Sequence, residues 1–188
     1  MTTVRAEQQR ARILDAAQAC FVRDGFHAAS MASIAEAAGM SAGLIYRYFD
    51  SKNSIILAII ERQLQEKLAG IASLADDPDV RRRFLEFVTP LRRGDAGAVS
   101  PALLLELAAQ ATRDPQIAAA VARSDRAGAA ALRRWMAASD RARGLAADDA
   151  GVRARTLALQ CLFEGLAMRV AKDPELELVQ VGRVLDLL

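Results

Sequence analysis

The 188-residue sequence predicts an all-α fold. Alanine, leucine, arginine and glutamate, which favour helix, are frequent, and there are five prolines. Along most of the chain, apolar residues recur at intervals of three and four, the spacing of one helix face. No alternating run of Val, Ile, Thr or Tyr bounded by turn residues marks a strand. We therefore expect an N-terminal three-helix domain followed by a larger helical region.

The composition is that of an ordinary globular protein, with 53% hydrophobic and 26% charged residues. The net charge is +2, and residues 1–52 hold six Arg or Lys against five Asp or Glu. Bulk charge therefore gives no argument for nucleic acid. The first dozen residues are polar and no run of eighteen apolar residues occurs, so we expect a cytoplasmic protein without a membrane partner. Cys20 and Cys161 lie in apolar helical patterns, which predicts two buried free thiols.

The first two helices are separated by a glycine. The first is expected over Arg5–Asp24, and Gly25 ends it in the left-handed conformation that suits glycine. Ser30 then caps a second helix, Met31–Ala38. The inward face of the first helix has residues spaced by three and four: Ile13, Ala16, Ala17, Cys20 and Phe21.

A three-residue turn follows, in which Gly39 stops the second helix and Ser41 caps a third, Ala42–Phe49. Two short helices with this turn between them have the spacing of a helix-turn-helix. At about 100° per residue, Ile45 and Phe49 share the buried side of the third helix.

The opposite side of the third helix suits a DNA major groove. Arg47 can reach guanine N7 and O6, Leu44 a thymine methyl, and the tyrosine hydroxyls the phosphate walls. Small residues at the start of the helix allow close approach to the bases. The outward and flanking residues are Ala42, Gly43, Leu44, Tyr46, Arg47 and Tyr48.

Lys52 lies in the first turn of a fourth helix expected to extend to about Ser73. A cation is slightly unfavourable at this positive helix end, and a DNA phosphate held by Lys52 and the free N–H groups would reverse the penalty. Three simpler alternatives stay open: one of the two tyrosines is a partly buried core aromatic, Arg47 is a solvated arginine, and Lys52 is a surface lysine.

The stretch SMASIAEAAGMSAGLIYRYFDSKNSIILAIIER resembles the signature of the TetR/AcrR family. The resemblance is strong over about residues 8–62 and continues weakly, as helix order and length, to the end. It implies that Ser30, Ser41, Tyr46 and Lys52 contact phosphates and that Ala42, Gly43, Leu44 and Arg47 face the bases. Two departures stand out. Ala32 and Ser33 replace a basic and an acidic residue, which removes a phosphate contact and a capping-box partner. Leu44 replaces a Thr or Ser.

This resemblance implies a DNA-binding domain over residues 1–52 and a helical effector-binding and dimerisation domain over residues 53–188. The implied function is that of a ligand-responsive transcriptional repressor that binds double-stranded operator DNA as a homodimer. Two heads fit successive major grooves only when roughly 34–36 Å apart or at a multiple of that distance. A ligand that changes this separation therefore weakens binding. No cofactor or metal is implied.

In the C-terminal region, helix starts are predicted where a capping residue precedes proline, at Ser100-Pro101, Asp114-Pro115 and Asp173-Pro174. Another helix is expected over about Pro78–Arg93, and a long one from Asp148 or Asp149 to about Ala171. Candidate ligand-pocket residues among these helices are Phe84, Phe87, Leu103, Glu106, Leu107, Gln110, Trp135 and Cys161, with Gln160 as a further polar candidate. The weak charge pattern favours a mostly apolar small molecule; ordinary core packing of the apolar members is the alternative.

The last two helices each have an apolar stripe, and the family pairs these helices into a four-helix bundle between subunits. The predicted dimer interface is Thr156, Leu159, Phe163, Ala167, Val170, Leu176, Val179, Val184 and Leu187. The alternative for each of these residues is packing within one chain.

Two other classes of function are weighed. An enzyme is not expected, because His27 is the only histidine, the two cysteines are far apart and no glycine-rich phosphate loop occurs. A helical interaction protein with a degenerate DNA-binding head is the other alternative. The near-neutral charge of residues 1–52 and the residues at positions 32 and 44 favour it slightly.

Overall fold

The computed structural model describes residues 3–74, 79–93, 100–145, 148–173 and 175–185, which contain nine α-helices and no strand. The predicted all-α fold is confirmed. The helices in chain order are α1 (Thr3–Ala28), α2 (Met31–Ala37), α3 (Ala42–Tyr46), α4 (Lys52–Ala72), α5 (Val80–Arg93), α6 (Pro101–Ala111), α7 (Pro115–Ala142), α8 (Asp149–Lys172) and α9 (Leu178–Leu185).

The chain forms two compact units. Unit 1 comprises Met1–Gln63 and Ala102–Ala122, and unit 2 comprises Leu64–Pro101 and Arg123–Leu188. Helices α4 and α7 each contribute residues to both units. Residues 102–122 thus pack with the N-terminal helices.

Unit 1 is built on an apolar core to which α6 and α7 contribute. Leu103 is fully buried, and Leu107, Ile117 and Ala120 lie in the same core. The N-terminal helices supply the rest: Ile13, Leu14, Ala17, Cys20, Phe21, Phe26, Ala29, Ile34, Ala35, Ala38, Ile45, Phe49, Ile55, Ile56, Ile59 and Ile60. This single core holds α1, α2 and α3 against the start of α4.

Helix α1 kinks at Gly25, which has φ 75° and ψ 163°. The positive φ is expected from the sequence, but the ψ of 163° is not that of the predicted left-handed helical conformation. One further turn follows, and the helix reaches Ala28 instead of Asp24. Because this turn places Phe26 against Phe21, with ring centroids 4.5 Å apart in an edge-to-face arrangement, it extends the core.

Unit 2 has its own core, in which α5 packs against α8 and α9. The Trp135 indole N–H donates to the Leu74 carbonyl at 2.9 Å, which satisfies the polar atom of a buried ring. The carboxylate of Asp140, 2% exposed, accepts two hydrogen bonds from Arg155. These bonds hold the pKa of Asp140 below its ordinary value.

Two expectations about the C-terminal helices are wrong. Asp173-Pro174 does not start α9, which begins at Leu178; Asp173 instead accepts a hydrogen bond from the Glu175 N–H at 3.2 Å. Pro174 itself lies outside the described residues. Cys161 is exposed, whereas Cys20 is buried as expected. None of the described helices is long and apolar enough to cross a membrane.

Candidate nucleic-acid interface and effector cavity

The helix-turn-helix is fixed by caps at its two helix starts. Ser30 and Ser33 form a reciprocal capping box: the Ser33 N–H donates to Ser30 Oγ at 3.0 Å, and the Ser30 N–H donates to Ser33 Oγ at 2.9 Å. The expected loss of a capping partner at position 33 is therefore wrong, because a serine hydroxyl also accepts this bond. Gly39 has φ 61° in the turn, and Ser41 Oγ accepts from the Leu44 N–H at 3.3 Å.

Helix α3 buries one side and exposes the other. Ile45 is fully buried and Phe49 is 3% exposed, as expected. Arg47 is exposed and ends the helix as its C-cap, so α3 is shorter than the predicted Ala42–Phe49. Tyr46 is 52% exposed, whereas Tyr48 is half-buried and packs against the unit 1 core. Of the two tyrosines, Tyr46 is the one presented to solvent.

The start of α3 offers unobstructed space. A Cβ built on Gly43 would meet no atom of the protein within 4 Å. Ala42 and Ser41 beside it are exposed, and Leu44 is half-buried. This end of the helix can therefore approach a flat or grooved surface closely.

Lys52 has partners that the sequence analysis missed. Its ammonium donates to the carbonyls of Phe26, His27 and Ala29, the last two at 3.2 and 2.8 Å. An ammonium has three N–H donors, so all are used within the protein. The phosphate contact assigned to Lys52 is therefore replaced by a structural role: the cation caps the carboxyl end of α1, where the helix dipole favours it.

Two arginines of α1 also lie beside the helix-turn-helix and were missed. The guanidinium of Arg10 lies over the ring of Phe49, 4.3 Å from its centroid, and that of Arg12 lies beside Gly39. Both side chains are exposed. The contacts are tertiary, and helical spacing alone gives no signal for them.

Unit 2 contains a cavity of about 130 Å³ lined by α4, α5, α7, α8 and Leu74. Its walls are mainly apolar: Ile71, Leu74, Phe84, Leu132, Trp135, Leu159 and Phe163. The polar lining residues are Lys67, Arg83, Asp125, Gln160 and Glu164. Lys67 Nζ lies 3.9 Å from Asp125 Oδ1, and Arg83 pairs with Glu86 at 3.0 Å. The cavity therefore offers apolar contact area with a few charged and amide groups on its wall.

Only some of the predicted pocket residues come together. Phe84, Trp135 and the further polar candidate Gln160 line the cavity. Leu103 and Leu107 belong to the unit 1 core, and the Glu106 carboxylate accepts from the Phe26 N–H at 3.1 Å. Gln110 lies near the end of α6 in unit 1, and Cys161 is exposed on α8. The side chain of Phe87 lies outside the described residues.

Within the described ranges, no three His, Cys, Asp or Glu side chains come close enough to hold a metal ion. The candidate sites are thus a helix-turn-helix surface in unit 1 and a mostly apolar cavity in unit 2.

Comparisons with known proteins agree with this geometry. The family model for bacterial regulatory proteins of the tetR family matches residues 13–59. This range covers most of residues 1–52, which we call the N-terminal head. Over residues 13–59, a quarter of its length, the chain is therefore similar to TetR-family regulators.

Two comparisons extend this similarity beyond the head. The HTH-type transcriptional regulator UidR of Escherichia coli (strain K12) is 34% identical over 114 residues, 61% of this chain. That match spans 57% of UidR, less than two thirds of its length. The structure of Salmonella enterica GusR superposes with a TM-score of 0.78 at 27% identity, covering 95% of this chain and 91% of GusR.

FadR of Bacillus subtilis, whose structure is a complex with stearoyl-CoA, shares the fold. Its TM-score is 0.70 at 17% identity, with 93% of this chain and 94% of FadR covered. At that identity the comparison concerns architecture alone.

Much of the stripe predicted as a dimer interface is buried within the chain. Thr156, Ala167 and Val170 are 1%, 2% and 6% exposed. Leu159 and Phe163 line the cavity instead, and Leu176 packs against the unit 2 core. An interface between chains cannot use side chains that are already covered.

The exposed apolar residues of α8 lie on nearly the opposite side of the helix, at about 100° per residue. They are Leu157, Cys161, Gly165 and Met168, of which Leu157 is 61% and Met168 47% exposed. A Cβ on Gly165 would meet no atom within 4 Å. On α9, Val179 and Val184 are exposed as the prediction requires, and Leu187 lies outside the described residues. We call Leu157, Cys161, Gly165, Met168, Val179 and Val184 the outer apolar face.

Proposed function

We propose that this chain is a ligand-responsive, DNA-binding transcription regulator of the TetR family. In this proposal it acts as a homodimeric repressor that releases operator DNA when a small molecule occupies the unit 2 cavity. The observation that carries the proposal is the exposed side of α3, where Arg47 and Tyr46 project beside the unobstructed Gly43.

Each group on this side of α3 has a chemical role in the proposal. The planar guanidinium of Arg47 donates two hydrogen bonds to guanine O6 and N7. Ala42 and Gly43 let the helix enter the groove, and Leu44 meets a thymine methyl. Ser30, Ser41 and the Tyr46 hydroxyl donate to phosphates and set the register without selecting a sequence.

The effector in this proposal is a small, mostly apolar molecule with a polar group. Seven apolar side chains line the cavity, and Gln160, Glu164 and the Lys67–Asp125 pair can orient a polar end. The structure of FadR, a protein of this architecture, is a complex with stearoyl-CoA, which supports a ligand site in this fold. The chemical class of ligand for the present chain is inferred from its own cavity-lining residues.

Helix α4 supplies a physical route between ligand and DNA. Its later residues Lys67, Gly70 and Ile71 line the cavity, while Lys52 at its start holds the carboxyl end of α1. A ligand that displaces the later part of α4 therefore displaces the head. Affinity falls once the two heads of the dimer no longer match the groove spacing of about 34–36 Å.

The dimer in this proposal forms through the outer apolar face. Exposed leucine and methionine side chains on α8, and exposed valines on α9, leave apolar area that a second copy would remove from water. Gly165 would let the two α8 helices approach closely.

Fluorescence anisotropy with duplex DNA flanking the chain's own gene tests the proposal, using an unrelated duplex for comparison. Wild-type protein is expected to prefer the flanking DNA. Arg47→Ala is expected to lose that preference, since a bidentate arginine–guanine contact contributes about 1–3 kcal/mol of discrimination. Arg134→Ala, an exposed arginine on α7, is the matched control. Unchanged selectivity in Arg47→Ala would contradict the assignment of Arg47 to the bases.

A further inference from the structure

The near-neutral charge of the N-terminal head conceals an uneven distribution. Arg23 pairs with its neighbour Asp24 at 2.6 Å, and Arg62 of α4 pairs with Asp15 at 2.7 Å. Lys52 is held by backbone carbonyls. Two of the acidic residues of the head are thus neutralised within the protein.

Arg10 and Arg12 of α1 are placed differently. Neither guanidinium forms an ion pair with a carboxylate among the residues that the structure describes. Arg10 lies 4.3 Å from the centroid of the Phe49 ring, just past the end of α3. Arg12 Nη2 lies 2.8 Å from where a Cβ on Gly39 would stand, in the turn before α3. The two cations therefore flank the two ends of α3.

The Phe49 ring holds the Arg10 guanidinium near the surface without using up its charge. A cation over an aromatic face keeps its N–H groups at the edge available to an acceptor. Gly39, with φ 61° and no Cβ, leaves room for Arg12 beside the turn. Phosphate groups of a duplex recur on both walls of the groove that α3 would enter, and arginine binds them in bidentate geometry.

We propose that Arg10 and Arg12 bind backbone phosphates of the DNA duplex on either side of α3. This inference rests on the proposed function and adds two contacts that the family resemblance did not assign. The pair supplies the sequence-independent electrostatic attraction that the overall charge of the head does not, while Arg47 supplies the selectivity.

The salt dependence of binding by the full chain tests this inference. Log affinity against log salt falls with a slope of about −0.9 per phosphate neutralised. Arg10→Gln and Arg12→Gln are each expected to reduce the slope by about 0.9 on both the flanking and the unrelated duplex. A fourfold rise in salt then weakens each variant about 3.5-fold less than wild type. The ratio of the two affinities, which measures selectivity, is expected to stay unchanged.

Arg5→Gln is the matched control, because it removes the same charge from an exposed position on α1, nearly two turns before Arg12. It is expected to keep the wild-type slope. Arg10→Lys retains the charge and is also expected to keep it. If Arg10→Gln uncovers Phe49 and unfolds the head, Arg12→Gln, which leaves Phe49 covered, tests the inference independently.

The outcomes separate the inference from the proposed function. If wild-type protein binds DNA measurably, and Arg12→Gln and Arg5→Gln have the same salt slope, the phosphate assignment is overturned while the proposed function stands. Failure of the wild-type protein to bind any duplex overturns the proposed function as well. A slope reduced in Arg12→Gln and unchanged in Arg5→Gln supports the inference.

Discussion

Unit 1 and unit 2 are stabilised in different ways. In unit 1, polar side chains form hydrogen bonds with backbone groups near helix ends. These are the Ser30–Ser33 capping box, the bonds from Lys52 to carbonyls at the end of α1, and the bond from the Phe26 N–H to Glu106. Unit 2 relies on long helices packed through apolar side chains, and it retains a cavity and the outer apolar face. The difference fits a head that presents a fixed surface and a second unit with room for a ligand and a partner.

Removing the ammonium of Lys52 is expected to have the largest effect on stability. Lys52→Met keeps the aliphatic chain but leaves two carbonyls of α1 and the carbonyl of Ala29 without their donor, at a cost of about 3 kcal/mol in the free energy of unfolding. Chemical denaturation measures this loss. Lys67→Met, a lysine in the cavity wall, is the control and is expected to change stability much less. Equal stability of Lys52→Met and wild type would contradict the capping role.

A charge introduced on the outer apolar face of unit 2 is expected to weaken dimerisation. Met168→Glu places a carboxylate in the proposed interface and is expected to weaken dimerisation by about 2 kcal/mol, or roughly 30-fold. Sedimentation equilibrium measures the dissociation constant. Val22→Glu, at a similarly exposed position on α1, is the control. Should both variants dimerise as wild type does, the outer face is not the interface.

The Asp140–Arg155 pair of unit 2 predicts a pH-dependent effect. Because the pKa of Asp140 is lowered on folding, its stabilisation is fully present above the unfolded pKa of about 3.9 and is lost as pH falls through the lower folded value. Asp140→Asn is expected to cost about 1.5 kcal/mol at neutral pH. The difference from wild type should shrink below about pH 4. A difference that stays constant down to acid unfolding would rule out the ion pair as its cause.

The capping box of unit 1 is expected to give the smallest effect. Ser33→Ala removes the hydroxyl that accepts from the Ser30 N–H and should cost about 0.5–1 kcal/mol. Thermal unfolding measures the loss, and Ser33→Glu, which restores an acceptor, should recover it. If Ser33→Ala melts at the wild-type temperature, the reciprocal bond does not stabilise the head.

The two units also differ in how much the sequence could predict. In the helix-turn-helix, Gly39 and the capping serines set the turn and the helix starts, so helical spacing placed Ile45 inward and Arg47 outward. Helix α8 is apolar on two sides, and spacing does not tell which side faces the core; Thr156 and Leu159 were assigned to the wrong one. Lys52 could not be interpreted because its partners lie at least 23 residues earlier in the chain.

Two glycines give the most direct test of the division between a DNA-binding unit and a ligand-binding unit. At both Gly43 on α3 and Gly70 on the cavity wall, an added Cβ meets no protein atom within 4 Å. Leucine is therefore expected to fold at either position. Measured side by side on the same duplex, Gly43→Leu should lose DNA binding because its side chain fills the space needed by the bases. Gly70→Leu adds its side chain to the cavity wall and should keep sequence-selective binding, at an affinity between those of ligand-free and ligand-bound wild type. Wild-type affinity in Gly43→Leu would contradict the account.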